Sequence, residues 1–225
     1  MVDNEQIENV VNKIINQKYL WVFPKRNSFI YPTGQIKKTL ATELKRLKNI
    51  SVNVDANDLQ TLNIKVGEYD GKYLYYGNAI PEILTIQQCY FLDSDGYIFD
   101  EAPYFSGEVY FKFYGNLNSD NPIGASFSRE NFKNIISFKE SIEKMNLKPI
   151  VFYTEDNEDG NIYLSSTAKM PNAPKIIFKL NGDYTKLVEN LQSAITTEPL
   201  KTKINQNLSS MSYIDLRYGN KVYFK

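Results

Sequence analysis

Apolar residues recur at helical spacing in the opening segment. Ile7, Val10, Val11 and Ile14 fall on one side of a 3.6-residue period, which predicts an amphipathic helix over residues 5–17. A compact aromatic run, Tyr19 to Phe23, follows and ends at Pro24. A second apolar stripe, Ile36, Leu40, Leu44 and Leu47, predicts another helix with Thr33 as its N-cap. The period then shortens to two. Ile50–Val54 and Leu62–Val66 alternate apolar and polar, as strands do when they hide one face only. Helix–helix–strand–strand is a small α+β unit with its helices on one side of a sheet.

Turn residues gather at Gly77–Pro81 and set the predicted boundary, giving domains 1–78 and 79–225. Strands dominate beyond it. Cys89–Asp93 and Tyr97–Phe99 flank Ser94-Asp95-Gly96, a hairpin signal because Asp-Gly accepts positive φ. Glu108–Tyr114 alternates as a strand. Ser128 is the expected cap of a helix whose stripe is Phe132, Ile135, Ile136, Ile142 and Met145. Ile150–Tyr153, Ile162–Ser165 and Ile176–Leu180 read as strands, and Asp183 caps a helix carrying Leu187, Leu191 and Ile195. Tyr213–Tyr218, a Gly219-Asn220 turn and Val222–Phe224 close the chain. The fold class is α+β: the small helical unit, then a larger, mostly antiparallel β domain with flanking helices.

Charge changes little in this picture, since 26 basic residues balance 26 acidic ones. A net charge of zero gives no broad pull toward nucleic acid. The basic group Lys45, Arg46 and Lys48 reads as a solvated helix face. Histidine is absent and Cys89 is the single cysteine, which excludes His-dependent triads, Cys–His nucleophiles, zinc fingers and intramolecular disulfides. Cys89 abuts Tyr90-Phe91-Leu92 and reads as a small buried hydrophobe. No window approaches the ~20 apolar residues of a membrane helix.

Carboxylates offer the remaining chemistry. Asp93-Ser94-Asp95-Gly96 reads as a turn, because a calcium loop needs its glycine at the sixth position and a closing glutamate at the twelfth. Asp93, Asp95, Asp100 and Glu101 read as a solvated hairpin end, not a glycosidase pair, which needs one carboxyl in an apolar setting. Glu155 to Gly160 reads as a solvated hairpin tip. No phosphate-cradling glycine loop is present. No catalytic residue, cofactor or metal is expected.

Two stretches carry a resemblance. Cys89-Tyr90-Phe91-Leu92-Asp93-Ser94-Asp95-Gly96-Tyr97-Ile98-Phe99, followed by Glu101-Ala102-Pro103-Tyr104-Phe105-Ser106-Gly107, resembles the hairpin that opens the β domain of the FtsQ/DivIB family. Tyr213-Ile214-Asp215-Leu216-Arg217-Tyr218-Gly219-Asn220-Lys221-Val222 is similar to the Asp-Leu-Arg-aromatic strand near the end of family members, and is the more specific of the two. The first third is similar to the later part of a POTRA domain, although Glu68-Tyr69-Asp70-Gly71 stands where members often have Glu-Arg-x-Pro.

The resemblance implies a bacterial division protein without a catalytic step, acting at the extracytoplasmic face of the cell membrane. Its membrane helix and first POTRA strand are expected upstream of Met1. The implied partners are an FtsB-like protein, within an FtsB–FtsL pair, and other division proteins at the POTRA unit. The family accepts a partner strand near its C-terminal strand, by β-augmentation. Tyr218 corresponds to a contact position; Arg217, Tyr213, Asp215, Val222 and Phe224 complete the implied partner-binding set. Within the strand, Ile214, Leu216 and Tyr218 are expected on one face and Tyr213, Asp215 and Arg217 on the other. Asp215, Arg217 and Lys221 are expected to guard an exposed edge against aggregation. The rival readings are a POTRA-like export or surface-adhesion module, with exposed rings in a concave groove, and a wall hydrolase using the Asp93–Glu101 carboxylates.

Overall fold

The computed structural model describes residues 2–16, 31–81, 87–117 and 119–225, with the backbone of Lys18–Tyr19 and Phe23–Pro24. The aromatic run over Tyr19–Phe23 therefore lies outside the described side chains. The chain is mixed α+β and divides into two compact units, Met1–Asp70 and Gly71–Lys225.

In the first unit, helix α1 (Asn4–Ile15) starts at a capping box. The Asp3 carboxylate accepts from the Gln6 N–H at 2.7 Å, and the Gln6 side-chain oxygen accepts from the Asp3 N–H at 3.3 Å. This satisfies donors that a helix start otherwise leaves open. A short antiparallel ribbon, β1 (Lys18–Tyr19) and β2 (Phe23–Pro24), precedes α2 (Thr33–Glu43). Strands β3 (Leu47–Val54) and β4 (Leu62–Glu68) pair antiparallel. Val11, Ile14, Ile36, Leu40, Leu47 and Ile50 form the core, so the helical stripes face it as the spacing predicts.

Two expectations here are corrected. Thr33 is the first helical residue and Pro32 occupies the cap, without a side-chain hydrogen bond. The second helix also stops sooner than its stripe. The Leu44 carbonyl accepts from the Leu47 N–H at 2.9 Å in a tight turn, and Leu47 then opens β3. Lys45 and Arg46 thus lie between helix and strand, not on a solvated helix face. Arg46 Nε lies 2.8 Å from Glu68 Oε2, and Lys48 Nζ sits 5.5 Å from the Tyr69 ring centre.

The second unit is built on one nine-stranded sheet. In chain order its strands are β5 (Tyr73–Tyr75), β6 (Cys89–Leu92), β7 (Ile98–Ala102), β8 (Lys112–Tyr114), β9 (Pro149–Tyr153), β10 (Asp159–Leu164), β11 (Lys175–Lys179), β12 (Tyr213–Tyr218) and β13 (Lys221–Phe224). Its helices are α3 (Phe132–Lys144), α4 (Tyr184–Thr196) and α5 (Leu200–Asn207). The spatial order is β13-β12-β11-β10-β9-β8-β5-β6-β7. Pairing is antiparallel except for β5–β8, β8–β9 and β11–β12.

The helices share a core with one face of this sheet. Phe113, Phe152, Phe178, Ile214 and Leu216 pack in one cluster with Phe132, Phe138, Leu187 and Leu191. The Phe138 and Phe178 rings meet edge to face at 4.9 Å. Burying such side chains contributes about 1.5–3 kcal/mol each, which binds helices to sheet. A smaller cluster on the opposite face joins Leu74, Tyr76, Cys89, Tyr114, Val151 and Tyr163.

The boundary falls at Asp70/Gly71, not at Gly77–Pro81. Strand β5, too short to register as alternation, already belongs to the second unit. The Gly115 N–H donates to the Gly77 carbonyl at 3.0 Å, tying the turn residues into the same unit instead of a hinge. The strand expected from Glu108 begins only at Lys112, because Glu108 is turned aside to Lys148 at 2.6 Å and Ser165 at 2.8 Å. Ser128 is not the cap of α3. It has φ +42°, its carbonyl accepts from Asn131 and Phe132, and Asn131 takes the cap position. Asp183 does cap α4, accepting from Thr185 at 3.0 Å.

The β6–β7 turn is built by one carboxylate. Asp93 Oδ1 accepts from Asp95 and Tyr97 N–H at 2.9 and 2.8 Å, and Asp93 is only 7% exposed. This carboxylate is thus a buried strut, not a solvated one. Gly96 has φ +81°, and a Cβ there would lie 2.7 Å from the Phe132 ring. Gly96→Ala is therefore expected to cost about 2–4 kcal/mol, from left-handed backbone strain plus displacement of a core ring. Urea denaturation followed by tryptophan-independent circular dichroism checks this; a loss below 1 kcal/mol would contradict it.

Candidate functional site

The C-terminal hairpin forms one end of the large sheet. Strand β12 is not an edge. It pairs in parallel with β11 through Lys175↔Tyr213, Ile176↔Ile214 and Ile177↔Asp215, and antiparallel with β13 on its other side. The edge is β13. Among the described residues no strand lies beyond it.

Register explains which side chains meet. From Asp215↔Tyr223 to Tyr218↔Lys221, β12 advances three residues while β13 advances two. One extra residue is a β-bulge, and it reverses the alternation of faces. Tyr218 therefore leaves the face of Ile214 and Leu216, where alternation put it, and joins Tyr213, Asp215 and Arg217. Its ring meets that of Tyr223 edge to face at 5.3 Å. Ile177, Tyr213, Asp215, Arg217, Tyr218 and Tyr223 line a shallow depression of about 500 Å³. Tyr218 and Tyr223 are 57% and 49% exposed. Val222 and Phe224 turn the other way and pack against the helix-covered core. Lys203 Nζ lies 5.3 Å from the Phe224 ring centre.

Asp215 and Arg217, two apart on one strand, project to the same side. Arg217 Nε and Nη2 contact the two Asp215 carboxylate oxygens at 2.9 and 2.6 Å, a bidentate pair. Arg217 Nη1 reaches Asp159 Oδ2 at 2.6 Å, and Lys179 Nζ reaches Asp159 Oδ1 at 2.8 Å. Burial would raise the Asp159 carboxyl, but hydrogen bonds from Lys179 and Arg217 outweigh it and hold it below the usual range. The same two carboxylates hold the Arg217 guanidinium charged.

The expected guards Asp215 and Arg217 are thus committed to each other, and Asp215 is 4% exposed and inaccessible to a partner. Lys221 alone of the three stands exposed on the edge strand. Asp159, expected in a solvated tip, is a structural ion. Tyr223, Ile177 and Lys179 join the site from outside the sequence-predicted set. The Lys221–Phe224 alternation signals Tyr223, whereas nothing local links Asp159 to Arg217.

The carboxylate cluster is dispersed in role. Asp93 holds its turn, Asp95 Oδ1 lies 3.1 Å from Lys133 Nζ, and Asp100 accepts from the Glu101 N–H at 2.9 Å. Among the described residues no group of three or more His, Cys, Asp or Glu is placed to hold a metal ion. Cys89 is buried as expected, its thiol pushed up by burial, with Sγ 3.5 Å from the Ala102 carbonyl. The chain matches no protein-family model and no curated protein.

Arg217→Ala would leave Asp215 buried without its partner, at an expected cost of about 3 kcal/mol near neutral pH. Asp159 has a depressed folded pKa, so its contribution is complete above its unfolded value of ~3.9 and is lost as pH falls through the folded value. The stability gap between wild type and variant should therefore narrow as pH drops below about 4. Urea titrations at neutral and acid pH measure it; an unchanged gap would refute the role given to this ion chain.

Proposed function

We propose that this chain is a non-catalytic division-site scaffold of the FtsQ/DivIB kind, acting outside the bacterial cell membrane. It binds an FtsB-like protein, within an FtsB–FtsL pair, by taking a partner strand onto β13. The first unit serves as its POTRA-like part and contacts further division proteins.

The observation that carries this reading is the open side of β13. Lys225 and Tyr213 exchange hydrogen bonds at 3.2 and 3.4 Å. In an antiparallel ladder such pairs alternate with pairs whose backbone groups point away. Val222 and Phe224 thus turn N–H and C=O outward, where an added strand would find them. The exposed rings Tyr218 and Tyr223 stand beside that edge. The outward backbone groups of Val222 and Phe224 favour strand addition, although Tyr213, Tyr218 and Tyr223 also line the shallow depression that the adhesion reading would use. The opposite edge, β7, is partly covered: Ile98 donates to Ala125 and accepts from Gly124 at 2.9 and 2.7 Å.

Two variants test it against the FtsB-like ectodomain. Val222→Pro deletes an outward donor on an edge strand, where proline is tolerated, and should abolish binding while circular dichroism stays unchanged. Tyr218→Ala should weaken binding roughly 30-fold, as truncating an aromatic anchor worth ~2 kcal/mol does. Full-strength binding by a folded Val222→Pro protein would reject β13 as the acceptor.

A further inference from the structure

The partner's chemistry can be read from β13, taking as given the reading of this strand as the acceptor edge. Exposure along β13 alternates, with Lys221 and Tyr223 exposed and Val222 and Phe224 half-buried; Lys225 follows in the exposed phase. Lys221, Tyr223 and Lys225 therefore share the face that is not covered by the helices. At about 3.3 Å per residue the two lysines stand roughly 13 Å apart, with Tyr223 between them.

Carboxylates near them are already engaged. Asp215, opposite Tyr223, is bound by Arg217, and Asp159 is shared by Lys179 and Arg217. Among the described residues neither Lys221 nor Lys225 has an ion-pair partner. Further cations border the same end. Lys175 lies beside Tyr213 in the register, with its Nζ 5.5 Å from the Tyr163 ring centre, and Lys203 lies over Phe224.

A second copy of this chain is disfavoured in the two registers that align β13 with itself over its full length. Antiparallel pairing of β13 with itself about Tyr223 sets Lys221 opposite Lys225 twice, and in-register parallel pairing stacks lysine on lysine. Like charges directly opposite destabilise a strand pair. Edge lysines are a known guard against self-pairing of this kind.

We infer that β13 selects an acidic partner strand from another protein, with carboxylates four positions apart opposite Lys221 and Lys225, an aromatic or aliphatic residue between them beside Tyr223, and apolar residues at the intervening positions beside Val222 and Phe224. The lysines thus do two things. They repel a second copy, and they fix the register of the partner by opposite charge. The central apolar residue packs on the Tyr218–Tyr223 ring pair. The intervening residues extend the helix-covered core by one strand.

The test uses the full chain and two synthetic strand peptides of identical apolar pattern. One carries glutamate two positions either side of a central tyrosine, and the other carries lysine there. Fluorescence anisotropy at low ionic strength should show the glutamate peptide binding about ten-fold tighter, from two exposed ion pairs and two avoided repulsions. The K221E/K225E double variant should invert that preference, which a merely structural effect of the substitutions would not do. Equal affinity for both peptides, with both lost in Val222→Pro, overturns the charge selection while leaving β13 as an acceptor edge. Binding of the glutamate peptide that survives Val222→Pro, or binding of neither peptide, overturns the acceptor edge itself. Sedimentation of the wild-type chain as a β13-dependent dimer would overturn the exclusion of a second copy.

Discussion

The hydrogen-bonded register of β12 with β11 ends at Asp215, yet β12 continues to Tyr218. Arg217 carries the strand across that interval. Its guanidinium grips Asp215 on its own strand and reaches Asp159 on β10, two strands away, while Lys179 of β11 closes the chain. Four charges thereby link three strands beyond the point where β11–β12 pairing ends. The bidentate geometry requires arginine, since lysine offers a point charge and no fork. Desolvation makes such a pair weak as a source of net stability but costly to break. Its main consequence here is positional, because it fixes the strand against which β13 is laid.

From that position the rest of the site follows. The bulge between Asp215 and Tyr218 adds one residue to β12 and so carries Tyr218 to the uncovered face, beside Tyr223. Below the sheet, Val222 and Phe224 join the core shared with the helices, and Asn190 Nδ2 donates to the Gly219 carbonyl at 2.8 Å, tying the hairpin turn to α4. The edge strand is thus anchored on one side by hydrogen bonds and beneath by packing. Its outer side carries no further strand among the described residues. A pre-formed edge would lose little conformational freedom on accepting a strand in the way proposed.

Local pattern reveals most of the elements and little of their neighbours. The stripe of α1, the alternation of β4 and the Asp-Gly turn at Gly96 follow from period and turn chemistry, whereas the α2 stripe runs past the end of its helix into β3. Strand β5 is three residues long, below the length at which alternation is visible. Helix α5 follows Pro199 and is only eight residues long, so its stripe is limited to Leu200 and Ile204, with Leu208 just past its end. The terminal hairpin is legible as two strands and a turn, but pairing is a non-local property. Nothing in Tyr213–Tyr218 tells that β11 lies against it in parallel, and proximity to the chain end suggests an edge that belongs instead to β13. The bulge is equally hidden, and with it the face of Tyr218. Asp159 stands in an acidic stretch that resembles any solvated tip, and only the folded sheet brings it to Arg217.

The central claim is that the outward backbone groups of β13 receive a partner strand. Amide hydrogen exchange, followed residue by residue with and without the FtsB-like ectodomain, reads those groups directly. In the free chain the amides of Tyr223 and Lys225, which face β12, should be protected, while those of Val222 and Phe224 exchange freely. On binding, Val222 and Phe224 should become protected as they enter a new ladder. Saturating partner that leaves both amides exchanging freely would contradict the account.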